Sequence, residues 1–293
     1  MTEAVVLMAY GSPDRIEDVP AYYADIRGGR PVRPELLADL TERYRSLGIE
    51  TSNPLNEITE RTRAALAAEL ALPVFTGMKH WTPRIADAAG AALAAGADTV
   101  AGLVLAPHYS RLSIAGYRER LEEALAGRAR LAFVDSWHLE PGFVELLAAR
   151  VRGTDAHVVF TAHSLPARVL DDGDPYERQL LETSRAVAKS AGLRDFTFSY
   201  QSASPTGEPW LRPDILDHLE ALRAQGVEQV LLCPIGFVAD HLEIRWDLDT
   251  EARAKADELG LGLSRIEMPN ADPAFVATLA AVVRRVLAVP SGA

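Results

Sequence analysis

The chain has 293 residues and a mass of 31.8 kDa, with 48% apolar and 24% charged residues, the proportions of an ordinary globular protein. Its net charge of −11 argues against non-specific binding to nucleic acid or to an anionic membrane surface. A single cysteine, Cys233, excludes an intramolecular disulfide, a Cys-x-x-Cys site and an all-cysteine iron–sulfur cluster within one chain.

Short apolar runs predict strands at 5–10, 73–77, 99–106, 131–136, 157–161, 196–200, 229–233 and 263–266. Their near-continuous hydrophobicity is that of parallel strands buried on both faces. Amphipathic stretches between them predict helices over 56–70, 83–95, 115–126, 142–152, 174–191, 213–225, 242–259 and 273–287. Asn56 is the expected cap of the first helix, and Gly192 and Gly226 close two others. Repeated βα alternation of this kind predicts an α/β protein with doubly wound parallel sheets.

The start of the chain lacks the basic and apolar regions of a signal peptide. The longest other apolar stretch, 90–107, is interrupted by Asp98 and falls short of the roughly 20 residues that span a bilayer. A soluble, cytoplasmic protein without membrane insertion is expected.

The two halves look alike. Ala9-Tyr10-Gly11-Ser12-Pro13 ends the first strand as Ala162-His163-Ser164-Leu165-Pro166 ends a strand near mid-chain. Ala106-Pro107-His108-Tyr109-Ser110 has its counterpart in Cys233-Pro234-Ile235-Gly236-Phe237. This predicts two similar Rossmann-like domains, 1–150 and 151–271, facing each other across a cleft, with the helix at about 272–290 packing back on the first.

Ligands of open α/β folds bind beyond the carboxyl ends of the strands, so residues just after each run are the ones to inspect. No Gly-x-Gly-x-x-Gly, P-loop or Gly-x-Ser-x-Gly pattern occurs there, which removes the common nucleotide and hydrolase readings. His163 is a candidate proton acceptor or metal ligand; a strand-end histidine satisfied by a backbone carbonyl is an equally good reading. For His108 and His241 the satisfied reading is preferred. Glu243, Asp247 and Glu251 stand four apart and share one helix face. Such a row can pass cations or protons, or be a solvated acidic face near a helix start, which spacing alone slightly favours. Arg27, Arg30, Arg33, Arg43 and Arg45 form a basic cluster in an acidic chain, either a solvated surface or a grip on an anionic ligand. Tyr10 follows the first strand and is a metal ligand or a buried aromatic.

Taken together, these motifs resemble those of the ferrochelatases along almost the whole chain. The blocks that carry the resemblance include Leu7-Met8-Ala9-Tyr10-Gly11-Ser12-Pro13, Asp25-Ile26-Arg27-Gly28-Gly29-Arg30, Ala162-His163-Ser164-Leu165-Pro166, Gly236-Phe237-Val238-Ala239-Asp240-His241-Leu242-Glu243 and Met268-Pro269-Asn270-Ala271. Within the family the chain is similar to the coproporphyrin III type, which inserts Fe²⁺ to make coproheme. Tyr10, where that type carries an axial tyrosine ligand to the porphyrin iron, is the main discriminator.

The resemblance implies that His163 and Glu243 are the paired metal-site residues, on opposite sides of the porphyrin cleft, and that Arg27, Arg43, Tyr44 and Tyr117 hold the porphyrin and its propionates. It makes Asp247 and Glu251 an outer cation site. Related enzymes read Gly-Ile-Ser-Pro-Leu where this chain reads Gly48-Ile49-Glu50-Thr51-Ser52-Asn53-Pro54-Leu55, so the propionate-binding serine aligns with Asn53 or Ser52. The implied substrates are coproporphyrin III and Fe²⁺, with no tightly bound cofactor and no iron–sulfur cluster. A monomer that delivers coproheme to a downstream enzyme is expected. The alternatives are a protoporphyrin IX ferrochelatase, a cobalt chelatase acting on a sirohydrochlorin-type ring, and a non-enzymatic tetrapyrrole carrier or solute-binding protein.

Overall fold

The uncharged run from Ala4 to Ala9 has no polar side chain to offer solvent, so it must be covered on both faces. It forms β1 (Glu3–Ala9), buried along nearly its whole length between two parallel neighbours. The computed structural model of the chain describes residues 2–48, 53–204 and 207–289. After β1 come α1 (Val19–Ile26), α2 (Pro34–Ser46), α3 (Pro54–Leu70), β2 (Val74–Met78), α4 (Ile85–Ala94), β3 (Thr99–Val104), α5 (Ile114–Leu125), β4 (Arg130–Phe133) and α6 (Pro141–Val151). The second half contains β5 (His157–His163), α7 (Arg168–Asp171), α8 (Tyr176–Ala191), β6 (Phe196–Gln201), α9 (Ile215–Ala224) and β7 (Gln229–Pro234). It ends with a π-helix (Ile244–Ala252), α10 (Arg253–Leu259), β8 (Gly262–Arg265) and α11 (Pro273–Leu287).

The sheets are ordered β2-β1-β3-β4 and β6-β5-β7-β8, and every pairing is parallel. Both halves therefore repeat one topology, with β1 equivalent to β5 and β3 to β7. The strand order reverses between β1 and β3, and again between β5 and β7. These are the switch points where an open α/β sheet leaves a crevice.

One apolar core runs through both halves. It joins Leu7, Leu103 and Phe143 of the first to Phe160, Leu180 and Cys233 of the second. α11 contributes Phe275, Leu279 and Val283 to this core and lies against α3 and α6. Trp137 locks the junction, its ring edge-on to Phe143 at 5.0 Å and its indole N–H donating to the Val104 carbonyl at 3.0 Å. No helix among the described residues is long and apolar enough to cross a membrane.

All eight predicted strands are present, with ends displaced by at most three residues. The helices α1 and α2 and the four-residue α7 were not predicted. α1 and α2 supply little beyond Tyr22 and a small cluster of Val19 and Tyr44 with Ile16, Leu37, Leu40 and Leu47, too sparse to stand out as a periodic pattern. The expected Asn56 cap is corrected to Asn53, whose side chain accepts from Leu55 N at 3.1 Å; Pro54 at the first helical position makes the earlier start favourable. Asn56 instead donates to the Ser12 carbonyl and the Asp14 carboxylate, both at 2.7 Å. The single helix expected over 242–259 is a π-helix followed by α10.

The segment after β3 clamps the halves together. Asp174 accepts from the Ser110 hydroxyl at 3.0 Å and from Arg111 N at 2.7 Å, and Gln179 accepts from Tyr109 N at 2.7 Å. His108 is buried here with Nε2 2.9 Å from the Thr183 hydroxyl, and burial with the neighbouring His138 holds its pKa well below the ordinary value. The unfolded chain therefore binds a proton at His108 near pH 6.5 that the native protein refuses. Stability should fall by about 1.4 kcal/mol per pH unit below that point on account of this residue. His108→Gln, compared with wild type by urea unfolding between pH 7 and 4.5, should flatten the acid limb. Parallel limbs would refute the assignment.

Candidate active site

Two glycines set the walls of the crevice. Gly11, at φ +86°, turns the chain directly after Tyr10, and a Cβ there would stand 2.8 Å from the Trp81 Cβ. Gly236, after β7, lets its backbone close on β5, since a Cβ would stand 2.6 Å from the Ala162 Cβ. Tyr10 leaves the end of β1, His163 ends β5, and the segment after β7 brings in His241 and Glu243.

His163 Nδ1–H donates to the Ser164 carbonyl, which fixes the tautomer and leaves Nε2 as the exchangeable position. That Nε2 lies 3.6 Å from one Glu243 oxygen, and His241 Nε2 lies 3.5 Å from the other. His163 and Glu243 are therefore direct neighbours in the second half and do not face each other across the cleft as expected. His241 is held in turn by the Ala239 carbonyl at 2.9 Å. Burial alone would lower the His163 pKa, but the charge of Glu243 outweighs it and raises the pKa to about 9. Burial likewise opposes ionisation of Glu243, and the two histidines reverse this, holding its carboxyl well below the usual range. Each group thus favours the charged form of the other, an imidazolium beside a carboxylate.

Asp247 continues the row. It is buried, accepts from the Ser202 hydroxyl, and is pushed up to about 7 by desolvation and by the charges of Glu243 and Glu251. Glu251 accepts from the Trp246 indole N–H at 2.8 Å. Of the three carboxylates predicted to share a face, Asp247 and Glu251 lie on a π-helix and Glu243 immediately precedes it, with the charges of both glutamates acting on Asp247. The Thr250 hydroxyl, donating to the Arg245 carbonyl at 3.0 Å, follows the same five-residue step.

Tyr10 is 43% exposed, with its ring 4.6 Å from the His80 ring. Desolvation, then the Glu243 charge, raises its phenol pKa. His80 is anchored to Asp25 at 2.8 Å, and Asp25 also pairs with Arg84 at 3.0 Å. Tyr44 is buried, and its hydroxyl lies 2.8 Å from the Ser12 hydroxyl. Asn53 is buried beside it, donating to the Ser12 hydroxyl at 2.7 Å and to the Pro13 carbonyl at 3.2 Å while capping α3. Tyr117 is buried under Lys79, whose Nζ stands 4.8 Å from the ring centroid, and desolvation lowers the Lys79 pKa to about 8. Tyr44 and Asn53 are thus tied together through the Ser12 hydroxyl, while Tyr117 belongs to a separate apolar cluster with Met8 and Ile114. Ser52 lies outside the described residues.

The arginines divide into two groups. Arg43 pairs with Asp39 at 3.0 Å and Arg45 with Glu42 at 2.6 Å. Arg27 and Arg30, at and just beyond the end of α1, and Arg33, just before α2, are exposed, with no ion pair among the described residues. His241, Ser202, His80 and Trp246 are neighbours that sequence reasoning did not place in the site. A histidine two residues before Glu243 was the one available signal.

Two parallel α/β halves with a histidine–carboxylate pair at the switch point of the second define a chelatase-type protein. SirB from Bacillus subtilis with Fe³⁺ shares the fold at a TM-score of 0.64 and 12% identity, covering 98% of this chain and 96% of that one. CbiX, described as the terminal enzyme of siroheme biosynthesis in denitrifying bacteria, does so at 0.55 and 13%, covering 99% and 100%.

The ferrochelatase family profile matches residues 2–287. A ferrochelatase of Herpetosiphon aurantiacus is 45% identical over 96% of this chain and 97% of its own length. A coproporphyrin III ferrochelatase of Halalkalibacterium halodurans is 40% identical over 97% of each. The chain belongs to the ferrochelatase family, the metal-inserting chelatases of porphyrin and heme biosynthesis.

Proposed function

We propose that this ferrochelatase inserts Fe²⁺ into coproporphyrin III to give coproheme and two protons. The observation that carries the reading is Tyr10, half-exposed in the crevice and close enough to Glu243 to feel its charge, where a phenol can ligate the iron of the product. Relatives named coproporphyrin III ferrochelatase at 37–40% identity support it. So do the exposed Arg27 and Arg30, which are free to meet ring carboxylates.

The porphyrin lies in the cleft with its propionates held by Arg27 and Arg43. Tyr44 and Asn53 shape the floor beneath it, and Tyr117 packs alongside. Binding energy from these remote groups supports distortion of the ring, which exposes the pyrrole nitrogens. Fe²⁺ is presented by the His163–Glu243 pair, a nitrogen/oxygen set that suits the ion without holding it too tightly. Because Nδ1 of His163 is committed to the Ser164 carbonyl, Nε2 is the atom that exchanges a proton for the metal. Asp247, with a pKa of about 7, is poised to take the released proton and pass it toward Glu251 and solvent.

The test is anaerobic metalation with Fe²⁺, followed by absorbance, with coproporphyrin III and protoporphyrin IX in parallel. Two additional carboxylates meeting arginine at partly exposed contacts should favour coproporphyrin in kcat/KM by about tenfold. Preference for protoporphyrin would overturn the substrate. Binding of both rings without turnover would favour a carrier.

A further inference from the structure

The π-helix sets up a contact that an α-helix could not make. Residues five apart lie about 140° apart around an α-helix, on different faces. Here the five-residue step places the Trp246 indole N–H 2.8 Å from a Glu251 oxygen. The face of the same ring receives Arg43, whose guanidinium carbon stands 5.2 Å from the centroid. Arg43 lies on α2, in the other half of the molecule. Leu242, one residue before Glu243, packs into the same α1–α2 cluster. One indole thus donates from its edge to the outermost carboxylate of the row and offers its face to an arginine across the crevice.

We infer that Trp246 is a positioning residue that orients Glu251 for cation or proton passage and couples that orientation to Arg43 on the porphyrin side. The inference rests on the proposed function, in which Arg43 holds a propionate and the row serves metal exchange. Trp246 touches no reacting atom in this scheme. It acts through its two neighbours, so removing the donor and removing the ring should have different consequences.

Trp246→Phe keeps an aromatic face for Arg43 but deletes the N–H, whereas Trp246→Leu deletes both. In anaerobic metalation, Trp246→Phe should raise the KM for Fe²⁺ about three- to tenfold, as expected for a lost hydrogen bond to a charged group, and leave the porphyrin KM within about twofold. Glu251→Gln should raise the Fe²⁺ KM comparably. Adding Trp246→Phe to Glu251→Gln should do nothing more, because the two act as one unit. Trp246→Leu should raise both KM values.

Unchanged Fe²⁺ KM in Trp246→Phe, or effects that multiply in the double variant, would overturn the inference. A uniform fall in kcat tracking a lower Tm would mark Trp246 as packing alone and overturn it equally. A wild type inert on both rings would instead remove the proposed function, and the inference with it.

Discussion

Replacing His163 with alanine is expected to lower kcat for metalation by at least about a hundredfold, the scale of a lost general base or ligand, while porphyrin affinity stays within about threefold. The side chain sits at the end of β5 with Nδ1–H committed to the Ser164 carbonyl, so no other atom of the ring can substitute for Nε2. The groups assigned to the porphyrin carboxylates, Arg27 and Arg43, lie on or beside α1 and α2 and do not depend on it. Steady-state metalation and porphyrin fluorescence titration check the two halves of the statement. Full turnover in the variant would refute the role.

Glu243→Gln should be as damaging, by a route that pH can resolve. Its negative charge is what lifts the His163 pKa to about 9 against burial, and it contributes to lifting Asp247 to about 7. Without it both values fall. His163 is then neutral at pH 7 and Asp247 ionised, so the row loses both its charged donor and its acceptor of matching strength.

A histidine pKa raised by folding contributes stability that is complete below about 6.5 and is lost as pH climbs through about 9. Wild type should therefore lose stability across that window, and Glu243→Gln should not. Histidine NMR titration and urea unfolding at pH 6, 7.5 and 9 measure this. An unaltered His163 midpoint in the variant would break the proposed pairing.

The strands were readable because a parallel strand buried on both faces leaves an almost unbroken apolar run, as from Ala4 to Ala9. His163 and Tyr10 were readable for a related reason: each sits where such a run stops, and that is where the crevice lies. The carboxylate row was readable as spacing. Its π geometry was not, since a one-residue slip in the hydrogen-bond ladder leaves no mark in composition, and Trp246 and Glu251 look unrelated under an α-helical template. The cap at Asn53 was within reach through Pro54. The burial of Tyr44 and Asn53 was not, because it depends on Ser12 arriving from a different part of the chain.

The single apolar core that threads both halves has a mechanical consequence. Lobes that share Phe143, Phe160 and Phe275, and are tied again through Asp174 and Gln179, cannot swing apart like jaws without tearing their own interior. The crevice is therefore a stiff mould of fixed gauge, and compliance is left to the thinly packed α1–α2 excursion at its rim. In the proposed reaction, a flat guest pressed into such a mould would be the partner that bends.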